Sequence, residues 1–592
     1  MMPRSLRSVA YSSWLQRLVP AATWLRNYQA AYFRGDLTAG LTVGIMLIPQ
    51  SMAYALLAGV PPVYGLYASL VPLVVYALLG TSRHLAAGII AIDMLIVAAG
   101  LTPLASPGSP RYLALVLLLT ALVGALQLIM GMARLGFLVN LLSRPVLTGF
   151  MSAAALIIAF SQLGSLLGLS LSRGAPPHRL LWEALTHLSA IHWPTLLLGL
   201  GAILVLIGLQ RYAPRVPAAL VVVLLTTLLV WLFRLEQTGV AIVGEIPRGL
   251  PTWSLPEINF SALGSLFPTA LTLALVQFMS VITLGKAFAA RYRYSIRPNR
   301  ELFALGAANL AGSFFQSLPV SGSFSRTAVN AQAGARTPLS NVIAASVVAL
   351  TLLFFTPWFY YLPVPALAAI IIVAAVGLLD LRGLHALWRI KRTDGAIALL
   401  TFAITLLLGV QEGVLSGIAA SVIAIMYRIS RPNVAELGHL PGTRSFRDMR
   451  HHPEARPIPG LLLLRIDASF SFANADFLQD LLLSRTRDDP SIRAVILDAS
   501  SINDLDTTAA ATLKETARIL QEQGVTLYFA GVKEPVLETM RRSHLVDQLG
   551  ADHFFLSPHR AVLHILRQWG QADTYLKEVP GAEASASERS DA

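Results

Sequence analysis

The sequence predicts an all-α polytopic membrane domain followed by a soluble α/β domain. Hydrophobic residues make up 55% of the 592 residues and charged residues only 13%, about half the charged share of an ordinary soluble domain. No soluble core is large enough to bury so much apolar side chain, so most of the chain is expected to face lipid. The apolar stretches end near residue 430, and a sequence typical of a soluble protein follows.

Apolar stretches of near-spanning length recur along the first part of the chain. A full helical span needs about 20 residues, and the third and tenth stretches are the shortest. The predicted segments lie near residues 37–57, 62–79, 86–101, 111–131, 146–165, 195–210, 217–233, 265–286, 300–317, 322–334, 338–356, 363–379, 395–409 and 412–428. We therefore expect about fourteen membrane segments.

Charge is divided unevenly between the two parts. Residues 1–430 carry a net charge of +17 and residues 431–592 a net charge of −4, within a total of +13. Loops on one side of the predicted membrane hold most of the arginines, whereas the opposite loops hold few and also carry glutamates. Because basic loops face the cytoplasm, this asymmetry places both termini there, in a multi-pass protein of the inner cell membrane. It argues against a nucleic-acid groove as the reason for the basic charge.

The domain boundaries follow from these shifts in composition. Strands are predicted at Leu461–Ile466, Ala494–Leu497, Val525–Ala530 and His553–Leu556, and helices at Thr507–Gln523, Glu534–Ser543 and Ala561–Trp569. The predicted parts are a cytoplasmic N-terminal segment (1–35), a transmembrane domain (36–430), a linker with the start of the soluble region (431–459), a soluble α/β domain (460–572) and a disordered tail (573–592). The chain has no cysteine and no metal-ligand or hydrolase motif, so we expect neither an enzyme nor a resident cofactor.

The tenth segment carries the first candidate site. Within Leu318–Thr327, a helix-breaking Pro-Val-Ser-Gly is followed by small hydroxyl residues and Arg326. This is typical of a half-helix that begins inside the membrane, where free backbone N–H groups and the positive dipole end bind anions. The candidate substrate-binding residues are Ser321, Gly322, Ser323, Phe324, Ser325 and Arg326. The alternative is a loop at the membrane surface, with Arg326 extending to the lipid headgroups.

The third segment carries the second candidate site. Gly88 interrupts a short apolar run that ends at Asp93, and we predict that this half-helix meets the tenth segment with both N-termini aimed at one site. Asp93 then pairs with Arg326, binds a coupling cation or carries a proton; alternatively it is a hydrogen-bonded polar residue packed between helices. The further candidate substrate-binding residues are Gly88, Ile89, Ile90 and Ala91, with Gln50 and Tyr54 of the first segment.

Two other acids, Glu301 and Glu412, lie at the ends of predicted segments. We expect both of them to be solvated.

Several long motifs resemble the SulP sulfate permease family. In the membrane part they are Asp36–Thr42 with Ile48–Tyr67, and Asn309–Phe315 with Leu318–Asn330; Leu497–Asp506 resembles the core of a STAS domain, the soluble module attached to these transporters. The resemblance covers roughly residues 30–570. It implies two inverted seven-segment repeats arranged as a core and a gate domain, with the anion site between the third and tenth segments.

The resemblance also implies a function. Family members are generally homodimers that move sulfate, chloride, bicarbonate or dicarboxylates by an elevator-type mechanism, through proton or sodium symport or through exchange. One arginine and two helix N-termini suit a compact oxyanion, so we expect a sulfate transporter with H⁺ or Na⁺ as coupling ion. The alternatives are a bicarbonate, chloride or dicarboxylate exchanger, an uncoupled anion channel, or a sensor that signals through the STAS domain to a cytoplasmic partner.

Two departures from the family pattern concern the site. Many members have Gly-Pro where this chain has Gly88-Ile89, and many carry an acid in the eighth segment within Phe-Leu-Glu-Ser. Here that segment reads Phe278-Met-Ser-Val281, so Ser280 stands at the acid position that the family links to cation coupling. The coupling candidates are therefore Ser280 and Asp93, and we expect Asp93 to replace the missing acid from the opposite wall.

The soluble domain offers one candidate regulatory site. The resemblance extends to anti-sigma-factor antagonists, which are phosphorylated just after the conserved aspartate; here Thr507 and Thr508 follow Asp506. Phosphate is well tolerated at a helix N-terminus. The alternative is that Asp506 only caps the helix.

Overall fold

Two units make up the chain, Met1–Ser421 and Val422–Ala592. The computed structural model describes residues 20–137, 143–171, 176–213, 216–256 and 260–577. The first unit is helical, which suits a bilayer, because a helix satisfies its own backbone hydrogen bonds without water. The second is an α/β domain.

The helices of the first unit follow the predicted apolar stretches. They are α1 (Ala21–Arg26), α2 (Ala30–Leu57), α3 (Pro62–Tyr67), α4 (Val71–Leu79), α5 (Ala91–Leu101), α6 (Pro110–Met132), α7 (Arg144–Ser161), α8 (Leu163–Leu167), α9 (Pro177–Thr186), α10 (Trp193–Tyr212), α11 (Ala218–Phe233), α12 (Phe260–Tyr292), α13 (Pro298–Ser313), α14 (Phe324–Gln332), α15 (Leu339–Leu350), α16 (Val364–Val376), α17 (Leu381–Ile390), α18 (Arg392–Leu407) and α19 (Val410–Ser430). Two strands, β1 (Ala87–Gly88) and β2 (Ser321–Gly322), precede α5 and α14.

Each of the fourteen predicted segments contains a helix, but not every helix is long enough to span. Within the described ranges, nine helices are long and apolar enough to cross a membrane. Two shorter apolar helices are Ala91–Leu101 and Ala218–Phe233. At 1.5 Å per residue, α5 extends about 16 Å, roughly half of a hydrocarbon core of about 30 Å.

The helices of the first unit pair crosswise between two halves of seven segments. The first half runs from α2 to α11 and the second from α12 to α19. Helix α14 packs against α2 as α5 packs against α12, and α15 packs against α2 as α6 packs against α12. Likewise α7 packs against α18 and α10 against α16. This reciprocal packing, with β1 and β2 antiparallel, is that of two interlocked inverted repeats, and the predicted fold class is confirmed.

The second unit is a six-stranded sheet with helices on both faces. Its strand order is β4-β3-β5-β6-β7-β8, in which β5 to β8 are parallel and β3 and β4 are antiparallel. The strands are β3 (Val434–His439), β4 (Phe446–Asp448), β5 (Leu461–Ile466), β6 (Ala494–Asp498), β7 (Thr526–Ala530) and β8 (Phe554–Phe555). The helices are α20 (Ala475–Asp488), α21 (Thr507–Glu522), α22 (Glu534–Arg542), α23 (Leu545–Leu549), α24 (Pro558–Gln568) and α25 (Ala572–Lys577).

Alternation along the central strands explains this layering. Leu462 and Leu464 pack into the core on one face of the sheet, whereas Leu461 and Leu463 pack into the core on the other. Successive side chains of a strand point to opposite faces, so a strand that is apolar throughout is expected to be covered on both sides. The predicted strand Leu461–Ile466 is therefore the centre of the domain.

The ends of the second unit differ from the prediction. Strands β3 and β4 lie within residues 431–459, for which only a linker and the start of the soluble region are predicted. Residues 572–577 form α25 rather than part of a disordered tail, because Tyr575 is 6% exposed and its hydroxyl lies 2.7 Å from His559 Nδ1. The rest of the predicted tail (578–592) and the N-terminal residues 1–19 lie outside the described residues.

The prediction that Glu301 is solvated is wrong. Glu301 is fully buried at the start of α13, where its carboxylate accepts hydrogen bonds from Tyr76 and Thr81 hydroxyls and from the backbone N–H groups of Thr81 (2.6 Å) and Ser82 (3.1 Å). A carboxylate is stable there because four donors replace its hydration shell. Glu412, by contrast, is exposed as expected.

Replacing Glu301 by alanine tests this clamp. Removing the acceptor leaves several buried donors without partners, each costing about 1–3 kcal/mol, so the free energy of unfolding falls by roughly 3 kcal/mol or more. Thermal unfolding of the purified protein measures the loss. Glu412→Ala is the matched control and leaves the midpoint nearly unchanged. Equal midpoints for the two variants would contradict the clamp.

Candidate anion site

A two-stranded ribbon inside the first unit brings the two half-helices together. β1 and β2 are antiparallel, with Ala87 opposite Gly322 and Gly88 opposite Ser321. Helix α5 begins three residues after Gly88, and α14 begins two residues after Gly322. Because the strands run in opposite directions, the helices leave the ribbon from opposite ends, so both N-termini point back at it. The predicted meeting of the third and tenth segments is therefore present.

Arg326 lies on the first turn of α14 and is fully buried. Its Nη2 donates to the carbonyl of Ile89 (2.9 Å) and its Nη1 to Gln50 Oε1 (3.3 Å). Burial rules out the alternative in which this arginine extends to the lipid headgroups. The side chain instead joins α14 to the backbone that opens α5 and to the first long helix.

Several polar atoms at this ribbon have no protein partner. Arg326 Nε and Ser321 Oγ are buried and unpaired. No side chain caps α5, whereas Ser323 Oγ accepts from Arg326 N (3.4 Å) at the start of α14. Helix N-termini and a guanidinium are all donors with positive potential, and donors of this kind can bind an anion.

Side chains from α14 and α15 hold β1 in place. The backbone of Ala86 donates to Thr327 Oγ1 (3.1 Å), Asn330 Nδ2 donates to the carbonyl of His84 (2.8 Å), and Asn341 Nδ2 to that of Leu85 (2.8 Å). Unwound backbone inside a membrane requires such partners, because lipid supplies none. The unwound segment that leads into β1 is therefore held by side chains of α14 and α15.

Asp93 is fully buried on the first turn of α5, but it does not pair with Arg326 among the described residues. Its Oδ2 accepts from Gln277 Nε2 (3.0 Å) on α12, and its Oδ1 has no partner. The donors of Arg326 go to Ile89 and Gln50 instead. The predicted Asp93–Arg326 pair is therefore absent, and the alternative of a hydrogen-bonded residue between helices fits Oδ2 but leaves Oδ1 unexplained.

A buried network of amides behind Asp93 escaped the sequence analysis. Gln127 Nε2 donates to Gln277 Oε1 (2.9 Å), and Asn309 Nδ2 donates to both Gln127 Oε1 (2.9 Å) and Gln277 Oε1 (3.1 Å). Asn309 also pairs with the backbone of Val320, immediately before β2. Intramembrane amides are a usable signal in an apolar segment, but the sequence analysis names only Gln50 among them and none of these three.

The other predicted residues lie as follows. Tyr54 is 7% exposed, and its hydroxyl interacts electrostatically with the charge of Arg326. Phe324 and Ser325 are exposed at the start of α14. Ser280 Oγ donates to the carbonyl of Val276 on its own helix (2.9 Å), and it is Gln277, one turn earlier, that touches Asp93.

The candidate regulatory threonines lie at the start of α21. Thr507 and Thr508 are exposed. Asp506 caps the helix, since Oδ1 accepts from Ala509 N (2.8 Å) and Oδ2 from Phe472 N (2.7 Å). The capping role is thus present, and phosphorylation stays a prediction.

Comparison with known proteins gives family matches for both units. Residues 33–401 match the Sulfate permease family, and residues 452–561 match the STAS domain. "Sulfate transporter 4.1, chloroplastic" of Arabidopsis thaliana is 37% identical over 569 residues, covering 93% of this chain and 82% of that protein. "Probable sulfate transporter Rv1739c" of Mycobacterium tuberculosis is 39% identical over 544 residues, covering 92% and 97%.

Two solved structures share the fold. The structure of SLC26A9 superposes with a TM-score of 0.87 at 25% identity, covering 97% of this chain and 96% of that one. The transmembrane domain of the cyanobacterial bicarbonate transporter BicA superposes with a TM-score of 0.56 at 23% identity, covering 67% and 98%.

Gly88→Ala tests the placement of Arg326. Gly88 has a φ of +143°, and a Cβ there would lie 3.0 Å from Arg326 Nη2, so the methyl group strains the ribbon and displaces the guanidinium. We expect sulfate binding to weaken by about tenfold, the cost of one charged hydrogen bond. Isothermal titration of the purified protein measures it. Gly201→Ala on α10, where nothing lies within 4 Å, is the control; unchanged affinity in Gly88→Ala would refute the placement.

Proposed function

The chain belongs to the sulfate permease family, and we propose that it is a secondary active transporter of inorganic anions, with sulfate as its main substrate. One observation carries this proposal: a fully buried arginine, with an unpaired Nε, stands where the N-termini of two half-helices converge. Within the described residues, that arrangement includes no cluster of metal ligands. It supplies donors and positive charge to a solute that enters and leaves.

The charge at the ribbon suits a divalent oxyanion. The guanidinium carries one full charge, and each helix N-terminus contributes the equivalent of about half a charge. Together they balance an anion of two charges. The unpaired Arg326 Nε and Ser321 Oγ add directional donors, which sulfate accepts through its four oxygens.

We further propose an elevator-type mechanism of alternating access. The ribbon and both half-helices belong to the helices that pack around α2 and α12. Helices α7, α10, α16 and α18 pack mainly within a second set, with smaller contacts from α16 to α2 and from α7 to α5. The first set would carry the bound anion as one body past the second. The murine Solute Carrier 26 member A9, whose structure superposes with a TM-score of 0.86, is described as an anion transporter in an inward-facing state.

For the energy source we propose cation symport through Asp93. A buried carboxylate with one oxygen unpaired is costly unless a proton or Na⁺ neutralises it. Ser280, at the position of the family's acid, bonds to its own helix and offers no charge. Asp93 lies on the half-helix that opens at the anion ribbon, so cation and anion would bind to the same moving body.

Two helices in corresponding places of the two halves support an orientation in the membrane. α9 precedes α10 in the first half and α17 precedes α18 in the second. α17 with the residue after it carries Arg382, Arg389 and Lys391, whereas α9 carries one arginine and one glutamate. Basic segments face the cytoplasm, so we place α17, both termini and the STAS domain there, in the inner membrane. A homodimer and a cytoplasmic partner for the STAS domain are parts of the same proposal.

Arg326→Ala tests the anion site. Loss of hydrogen bonds from a buried charge costs about 1.5–3 kcal/mol, so sulfate binding weakens by between about 10-fold and 150-fold. Arg326→Lys restores it only in part, because an ammonium lacks the planar fork. Labelled sulfate uptake by proteoliposomes is the measurement, and Arg336→Ala, an exposed arginine, is the control. Wild-type affinity in Arg326→Ala would remove this residue from the site.

Asp93→Asn tests the coupling. In wild-type proteoliposomes we expect sulfate to accumulate above equilibrium when a proton or sodium gradient is imposed. Asp93→Asn abolishes accumulation but keeps exchange of internal for external sulfate, because the neutral amide cannot bind and release a cation. Cation-driven accumulation that persists in the variant would contradict the role of Asp93. Wild-type exchange without accumulation would favour an exchanger or channel, and absence of flux would favour a sensor.

A further inference from the structure

Most hydrogen bonds of the amide network behind Asp93 point toward its carboxylate. The Val320 N–H donates to Asn309 Oδ1 (2.7 Å), Asn309 Nδ2 donates to Gln127 and Gln277, Gln127 Nε2 donates to Gln277, and Gln277 Nε2 donates to Asp93 Oδ2. Each of these links passes its N–H toward the carboxylate, and Asn309 Nδ2 also donates back to the carbonyl of Val320 (3.3 Å). This chain of hydrogen bonds thus runs from the start of β2, in the β1–β2 ribbon, to the carboxylate on α5.

Both ends of this chain determine how the amides are turned. At one end, an ionised carboxylate only accepts, so Gln277 must present its N–H groups. At the other end, Asn309 pairs with both the N–H (2.7 Å) and the carbonyl (3.3 Å) of Val320. Turning Asn309 over would set donor against donor and oxygen against oxygen there. With Asp93 ionised, the two ends of the hydrogen-bond chain require the same orientation of the amides.

When Asp93 is protonated, the amide orientation that suits its carboxyl group conflicts with the orientation that Val320 fixes at the other end. A carboxylic acid O–H needs an acceptor, and in the described part of the chain Gln277 is the one polar side chain that touches the carboxyl group. A proton on Oδ1, the unpaired oxygen, would leave an O–H with no acceptor among the described residues. A proton on Oδ2 gains Gln277 as its acceptor when Gln277 turns its amide, which points Nε2 at the donors of Gln127 and Asn309. Val320 holds Asn309, and Asn309 in turn holds Gln127 by donating to its Oε1. At least one link must therefore break, and an unmade buried hydrogen bond is costly.

We propose that Gln277, Gln127 and Asn309 are positioning residues that transmit the protonation state of Asp93 to β2 and hence to the anion site. This rests on the proposed function, in which Asp93 takes up the coupling ion, and it specifies that ion as a proton. Sodium bound at the unpaired Oδ1 would leave Gln277 donating and the chain intact. This chain of hydrogen bonds explains how a carboxylate that does not touch Arg326 affects the anion.

Among the described residues around Asp93, the hydrogen-bond chain that starts at Gln277 is the polar connection of its carboxyl group. Helices α2, α6, α7 and α12 pack against α5. Among their described residues, Gln277 alone bonds to Asp93; Tyr54 on α2 lies instead within electrostatic reach of Arg326. Arg326, the charged group of the site itself, is engaged with Gln50 and Ile89.

The test is sulfate affinity over a pH series, measured by titration calorimetry on the purified full-length protein. In the wild type, affinity falls by about tenfold or more as pH rises, because proton and sulfate binding favour each other in a symporter. Gln277→Leu, of nearly the same volume, cuts the chain but keeps Asp93 and the pairing of Asn309 with Val320. Sulfate still binds, and the pH dependence shrinks to about twofold or less.

Gln162→Leu is the matched control. Gln162 is a similarly buried glutamine of the same unit that bonds to Ser161 (3.0 Å), outside the chain, so this variant keeps the wild-type pH dependence. Gln127→Leu removes one of the two donors to Gln277 and shows a partial loss of pH dependence. It carries the test if Gln277→Leu does not fold. In an Asp93→Asn background, Gln277→Leu adds no further change, which a merely structural role would not predict.

The outcomes separate the two levels of the proposal. If both Gln277→Leu and Gln127→Leu keep the wild-type pH dependence, the proposed role of the amides is overturned, while proton coupling through Asp93 stands. A parallel loss of sulfate binding and pH dependence in those variants, with Gln162→Leu unaffected, also overturns it in favour of a structural role. If the sulfate affinity of the wild type depends on sodium concentration, or on neither sodium concentration nor pH, proton coupling itself is overturned. Failure of the wild type to bind sulfate overturns the proposed function.

Discussion

Unwound backbone inside lipid is the constraint on which the rest of the first unit depends. A membrane-embedded N–H or C=O has no water to bond, so every break in a helix must be answered by protein. The β1–β2 ribbon is such a break. Its strands pair with each other, and Thr327, Asn330 and Asn341 satisfy backbone groups of the residues just before β1. The same break exposes two helix N-termini, so the cost of unwinding and the capacity to hold an anion have one origin.

The buried charges obey the same constraint in different ways. Glu301 has four protein donors and is structurally complete, which makes it a clamp. Asp36 is similar, accepting from the backbone of Arg336 (2.6 Å) and Thr337 (2.9 Å) and from the Thr337 hydroxyl (2.6 Å). Asp93 and Arg326 each keep an unpaired polar atom. Among these fully buried charges, incomplete pairing marks Asp93 and Arg326, the residues of the proposed site, apart from Glu301 and Asp36.

Prediction from sequence succeeded where a residue is anomalous by itself. Gly88, Pro319 and Arg326 stand out in apolar segments because each conflicts with a continuous lipid-facing helix, and the half-helices followed from them. It failed for Glu301, since a carboxylate near the end of a segment looks the same whether it is solvated or bonded by a distant loop. Gln277 was missed because an uncharged amide costs less in lipid than a charge and therefore signals more weakly.

Composition and order along the chain determined that this protein lies in a membrane, that a soluble α/β domain follows, and that the third and tenth segments are broken. These are local properties, because each depends on the apolarity or helix propensity of neighbouring residues. The tertiary structure decided which polar groups meet: Asp93 with Gln277, Arg326 with Ile89, and Asn309 with Val320. Partners far apart along the chain are chosen by packing, since only the interlocking of the two halves brings them within hydrogen-bond distance.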